Sequence, residues 1–303
     1  MDGFTLTWKR TTSGSIIPIG PDAYFVPVKG AGLAARAAAL SGVLPPEVVI
    51  ARRTAAWIWG LDVLPPGVNE LDRDVDLISP RAREGPPAPV PITADTVELP
   101  PHHVVKESDV RLTCPIRTAL DCARWLPRYE AVAALDQFLR RDVDVDELTA
   151  MARTLRGYRG NERLRQLLRL GDRGAASPGE SWIRVAVVEA GFPRPETQIP
   201  VRSAKGGWFS IDLGYREFRV GLEYDGARHH TGREARAHDA HRRDWLAKEM
   251  GWEVIPVTKN FLTRPAPYLG ALLTALLQRG WQPDNATMEH LAARLAHLER
   301  RPH

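Results

Sequence analysis

The chain has 303 residues, with 41 Lys+Arg against 37 Asp+Glu and a formal net charge of +4, for a pI of about 9.2. That length holds two domain-sized cores, and so mild a charge excess suits a polyanionic partner only where basic residues segregate on one surface. Two cysteines, Cys114 and Cys122, fit no metal spacing and no disulfide framework and read as small buried residues of a reducing compartment. No apolar run spans a bilayer and the N-terminus has no apolar signal core, so a soluble cytoplasmic protein that meets no membrane is expected.

Residues 14 to 27 read as a hairpin around Gly20-Pro21-Asp22. Leu33 to Leu40 is Ala-rich and helical. A second helix is expected over Val48 to Trp59, stopped by Gly60. Trp57 and Trp59, two apart, point to different faces and suit packing or, alternatively, nucleic-acid stacking. Residues 62 to 113 are Pro-rich, with short strands near 75, 89 and 110. His102-His103 reads as loop filler, because no acid or Cys lies near it at ligand spacing. Four helices follow, over Arg117–Leu126, Tyr129–Arg140, Asp146–Leu155 and Asn161–Leu170. The stretch Gly171 to Pro178 reads as a linker. Ser177, Pro178 and Glu180 then form an N-cap, a first helical residue and a capping box.

The densest chemistry lies between Ser210 and His230. Ile211, Leu213, Phe218, Val220, Leu222 and Tyr224 alternate onto one face of two strands, and Ser210, Asp212, Arg219, Glu223 and Asp225 onto the other. Such acids are either solvated or share a divalent cation, for which hard oxygen ligands suit Mg²⁺ or Mn²⁺. A two-residue turn at Tyr215-Arg216 would separate Asp212 from Glu223 by roughly 13 Å. A turn centred on Glu217-Phe218 would set them face to face. Beyond His229 and His230, a charged helix over Arg233–Met250 carries Asp239 and Arg242 one turn apart. A strand over Val254–Val257 and helices over Ala266–Arg279 and Ala286–Arg300 close the chain.

The acid of the first strand, then E-x-D-G-x-x-H, D-x-x-R-x-x-x-L and G-W before a strand, resembles the DUF559 group. That group is related to the very-short-patch-repair endonucleases of the PD-(D/E)XK nuclease superfamily. The matching residues are Asp212, Glu223, Asp225, Gly226, His229, Asp239, Arg242, Leu246 and Gly251, with Glu180 and Gln198 upstream. The resemblance implies a restriction-endonuclease-like α-β-β-β-α-β core over 173–285 and Mg²⁺-dependent hydrolysis of DNA. Asp212, Glu223 and Asp225 would hold the metal, with Glu180 near it and His229 or His230 assisting. The superfamily's E-x-K lysine is replaced by Asp225, so His229, His230, Lys248 or Lys259 would have to serve instead. Arg228, Arg233, Arg236, Arg242 and Arg243 would contact DNA phosphates.

In the first half, T-A-A-W-I-W-G near 54 and R-T-A-L-D near 117 resemble the AbiEi-type antitoxins. The resemblance implies a DNA-binding regulator with a toxin or other protein partner. In that family a winged helix-turn-helix reads DNA; here the chain begins almost at the wing-like hairpin, so the helices before the wing are expected to be absent. The expected architecture mixes α+β and α/β in two domains, 1–172 and 173–285, with an amphipathic helix over 286–303. The expected function is a metal-dependent endonuclease or, alternatively, a non-catalytic regulator on a degenerate nuclease scaffold.

Overall fold

The computed structural model describes residues 17–20, 23–25, 48–63, 76–79, 95–96, 99–107, 110–155, 161–202, 207–226 and 245–300. The architecture mixes helices and sheets. Two compact units share the chain: one takes Met1–Pro127 and Val143–Arg165, the other Arg128–Asp142 and Gln166–His303. The expected division at residue 172 does not coincide with these units, because the segment Arg128–Asp142 goes with the second. The expected helix at 33–40 and strand near 89 lie outside the described residues, as do His229, His230 and the charged stretch through Arg243.

In the first unit, β1 (Ile17–Gly20) and β2 (Ala23–Phe25) pair antiparallel across Pro21 and Asp22. A five-stranded sheet follows, built from β3 (Val49–Ile50), β4 (Leu77–Ser79), β5 (Asp95–Thr96), β6 (Val104–Glu107) and β7 (Val110–Thr113), in the order β5-β4-β3-β7-β6. Val49 and Ile50 are fully buried and pair in parallel with Arg111 and Leu112. The helix expected from Val48 therefore begins only at Arg52, as α1 (Arg52–Ile58). Three consecutive β-branched residues with a strand beside them take the ladder instead. α2 (Pro115–Trp125) opens on a proline at its first position and packs against α1.

α3 (Arg128–Arg140) belongs to the second unit; α4 (Val145–Thr154) returns to the first and packs on α2. Asp144 caps α4 by accepting from Asp146 N and Glu147 N at 2.7 and 3.0 Å. α5 (Asn161–Leu170) leads into the second unit. There α6 (Pro178–Ala190) precedes a sheet of β8 (Glu196–Arg202), β9 (Trp208–Tyr215), β10 (Val220–Asp225) and β11 (Glu253–Thr258), in the order β11-β10-β9-β8. β8, β9 and β10 pair antiparallel, and β11 lies parallel to β10. Residues 245–248 are helical before β11. The short α7 (Lys259–Leu262), the almost wholly apolar α8 (Ala266–Gln278) and α9 (Asn285–Glu299) complete the unit.

Its main core joins Ile183, Val187 and Ala190 of α6 to Leu213, Val220, Leu222 and Val257 of the sheet and to Leu269, Leu272 and Leu276 of α8. Leu291 of α9 is fully buried in it, so the C-terminal helix is part of this body. α3 presents Ala131, Val132, Leu135 and Phe138 at helical spacing and packs on α6. At that contact Arg184 is fully buried and donates to Asp136 and to the Leu170 carbonyl.

The expected linker is a tied-down strap. Asp172 N donates to Asp136 Oδ1 at 2.7 Å, Gly174 N to Asp172 Oδ1 at 2.8 Å, and Arg194 reaches the Arg169 and Gly171 carbonyls at 2.6 Å each. Gly and Pro mark it as irregular, but its backbone groups are satisfied by the body it crosses.

Candidate functional site

The turn between β9 and β10 covers Arg216 to Arg219, with Arg219 N donating to Arg216 O at 3.3 Å and Arg219 at φ +52°. Tyr215 therefore faces Val220, and Leu213 faces Leu222. One step further along this register Asp212 stands opposite Glu223, the face-to-face alternative. The ladder ends at that step. The Asp212 carboxylate, through Oδ2, takes the Tyr224 N–H at 2.8 Å, a donor that a neighbouring strand would otherwise receive.

Strict alternation breaks at the same place. Ile211 packs with Ile199, Val201, Leu246 and Trp252, while Leu213 packs in the main core; the expected single apolar face is thus corrected. At the same level Gln198, opposite Asp212 in the β8–β9 register, has φ +49°. Gln198 Nε2 donates to Glu180 Oε2 at 2.8 Å, and Gln198 Oε1 accepts from Ser210 Oγ at 2.9 Å.

Glu180 reaches this corner because α6 starts close to the sheet. A Cβ on Gly179 would lie 2.3 Å from the Tyr224 ring, so only glycine lets the first turn approach so near. Ser177 Oγ accepts from Glu180 N at 3.3 Å, the N-cap expected from the sequence. The reciprocal bond differs from a capping box: Glu180 Oε2 accepts from Ala176 N at 2.8 Å, one residue before the cap. Glu180 is only 4% exposed. Burial, and then the Asp212 charge, push its carboxyl up to about 7, against the hydrogen bonds from Ala176, Ser177 and Gln198.

Glu223 is 8% exposed and pairs in register with Pro256 of β11. Asp225, at the end of β10, is exposed, as are Lys248 and Lys259. The structure thus brings Asp212, Glu223, Glu180 and Gln198 to one corner of the sheet. Among the described residues no three His, Cys, Asp or Glu side chains form a group able to hold a metal ion. Of the five arginines expected to contact DNA, Arg228, Arg233, Arg236, Arg242 and Arg243, all lie outside the described residues.

The first unit holds a second polar constellation that the sequence reading missed. Arg117 Nε donates to both oxygens of Asp121 at 3.0 Å, and Arg117 Nη1 lies 3.1 Å from His103 Nδ1. All three residues are buried, His103 at 1% exposure. The expected loop filler is therefore a core residue in the turn Pro101–His103. Since an arginine only donates, His103 accepts through Nδ1 and carries its proton on Nε2. Burial, then the Arg117 charge and then His102 lower His103 to about 4. Burial raises the Asp121 carboxyl, opposed by Arg117. Thr118 Oγ1 and Thr113 Oγ1 lie 2.7 Å apart, and Trp59 Nε1 donates to Thr113 O at 3.0 Å, a packing role for that indole. R-T-A-L-D is one buried turn whose ends pair at i and i+4. That spacing was the available signal.

Residues 47–170 match the family model described as the AbiEi antitoxin C-terminal domain. Two relatives in Mycobacterium tuberculosis are named only as uncharacterized proteins, MT2308 of strain CDC 1551 and Rv2248 of strain H37Rv. Each is 29% identical over 253 residues, covering 82% of this chain and 88% of the relative. No solved structure matches. Among the described residues no helix is long and apolar enough to cross a membrane.

Proposed function

We propose that the chain is a DNA-binding regulator of the antitoxin type, with a toxin or other protein as its partner. The observation that carries this is the match of residues 47–170 to an antitoxin domain, a stretch that includes the Arg117–Asp121–His103 constellation. The second unit supports it. Asp225 stands where the nucleases that this stretch resembles place a lysine, and Lys248 and Lys259 are exposed. On this reading the helix–strand scaffold from α6 to β11 is a nuclease-like fold kept for binding. Charge-driven binding to duplex DNA weakens steeply with salt, each phosphate contact adding about 0.9 to the log–log slope. Affinity for duplex DNA between 50 and 200 mM salt tests the reading; a flat dependence, or no binding at low salt, removes it.

A second reading, a metal-dependent deoxyribonuclease, is favoured by one observation: the β9–β10 register, continued one step past Leu213–Leu222, sets the backbones of Asp212 and Glu223 opposite each other. Hard carboxylate oxygens suit Mg²⁺ or Mn²⁺. Asp212 and Glu223 would hold the ion, with Asp225 or Glu180 near it. When bound, the ion supplies a water of lowered pKa and offsets charge on the phosphate. The chain's own part is to hold the two acids opposed, to orient Glu180 through Gln198, and to offer His229 or His230 for proton transfer. Glu223→Gln separates the readings, because a nuclease loses cleavage and a regulator has none to lose.

A further inference from the structure

In the first unit the end of α2 presents an aromatic ring among fixed cations. Trp125, the last residue of the helix, is 51% exposed. The guanidinium carbon of Arg52 lies 4.4 Å from its ring centroid and that of Arg124 4.9 Å. A third guanidinium, that of Arg163, donates to the Ala123 and Leu126 carbonyls. It therefore offsets the partial negative charge of the helix C-terminus. Of the acids near this corner, Asp121 is buried on Arg117, and Asp76, partly exposed, forms an ion pair with Arg52 at 4.0 Å.

Arg52 also has φ +47°. A non-glycine residue in the left-handed region costs free energy and persists where its surroundings over-determine it. Arg52 combines that backbone with its guanidinium over the indole. Burial alone does not account for the arrangement, since half of the ring remains in water.

We infer that this corner of Trp125, Arg52, Arg124 and Arg163 is a contact surface for an unpaired nucleotide. The base takes an indole face in place of one of the two guanidiniums now over the ring, and the phosphates meet the guanidiniums. An indole provides a sequence-tolerant stacking platform, and arginines beside it attract the backbone. The partner is thus a polynucleotide with a single-stranded or opened segment. This rests on the DNA-binding reading above and adds to it the unpaired base and the residues that take it.

The test uses the full chain and a fluorescently labelled oligo-dT of twenty nucleotides, with a duplex of the same length alongside. Trp125→Ala is expected to weaken oligo-dT binding by about ten-fold or more, with duplex binding changed little. Trp125→Phe keeps a stacking ring and is expected to retain most of the affinity. Arg124→Ala is expected to weaken both and to lower the salt slope by about one. Trp125 is exposed, so both Trp125 variants are expected to melt like the wild type.

If Trp125→Ala binds oligo-dT as well as the wild type does, the inference is overturned. It is likewise overturned if the wild type binds duplex but not oligo-dT, which leaves the regulator reading intact. Polyglutamate competing as strongly as oligo-dT would mean that the surface reads an acidic protein, again against the inference. Binding to oligo-dT without duplex binding removes the duplex-regulator reading and keeps the stacking surface.

Discussion

Asp121 and Glu180 are both buried acids, one on a helix of each unit, and they are held in opposite ways. Asp121 receives a guanidinium on both oxygens. Glu180 receives neutral donors, Ala176 N–H and Gln198 Nε2–H, and meets the charge of Asp212. Asp136 of the second unit follows Asp121, with Arg184 against it. An acid with a buried cation is an element of structure, and its loss leaves the cation stranded. An acid facing another acid is a stored cost, relieved by a proton or a cation. The same residue type thus holds the fold together in one place and responds to its surroundings in the other.

The largest effect is expected where a paired acid is removed. Asp121→Ala strands Arg117 and Asp136→Ala strands Arg184, each costing about 3–5 kcal/mol. Urea unfolding curves read both, and a loss under 1 kcal/mol would dissolve the distinction. The same reasoning applies to a fragment of residues 173–303. It lacks α3 and with it Asp136, and is expected to be insoluble or unfolded although its first residue sits at the apparent linker.

Glu180→Gln should have the opposite sign. The carboxyl of Glu180 is raised to about 7 from an ordinary 4.5, so the folded state binds more protons than the unfolded state between those values. Stability is then fully present below about pH 4.5 and is lost as pH rises through 7. At pH 8 the variant should gain free energy, with a ceiling on the order of 3 kcal/mol set by the shift, and the gain should vanish near pH 4.5. Unfolding curves at the two pH values decide it; destabilisation at pH 8 would show that the charge of Glu180 stabilises the corner.

An effect of similar size concerns His103, and it runs the other way with pH. Its folded value is lowered to about 4. The stability it contributes is present above about 6.5 and is lost as pH falls through 4. His103→Gln keeps an acceptor for Arg117 and should flatten the acid side of the profile. An unchanged acid limb would mean that His103 is protonated without cost.

Much of this was legible in the sequence. β7 and α5 lie where periodicity placed them, and α3, α4, α8 and α9 within a residue or two. β9 and β10 carry their acids as expected, and Ser177 caps α6. What escaped depended on contacts distant in sequence. Val49 and Ile50 read as helix until β7 lies beside them. The strap from Gly171 to Ser177 reads as a linker because its partners, Asp136 and Arg194, lie some twenty to forty residues away. The reversal of Ile211, and the positive φ of Gln198 on the neighbouring strand, are announced by no residue type. The choice between two turns was open because Tyr215 to Arg219 holds no glycine or proline to fix the centre.

The central claim is that the second unit is a binding scaffold in which opposed acids persist without cleaving DNA. It is tested most directly by incubating the purified full chain with supercoiled plasmid across a range of Mg²⁺ and Mn²⁺ concentrations, with Glu223→Gln in parallel. Binding is followed under the same conditions. Intact plasmid with salt-dependent binding by both proteins is the expected result. Metal-dependent nicking by the wild type that disappears in Glu223→Gln would contradict it and establish the nuclease.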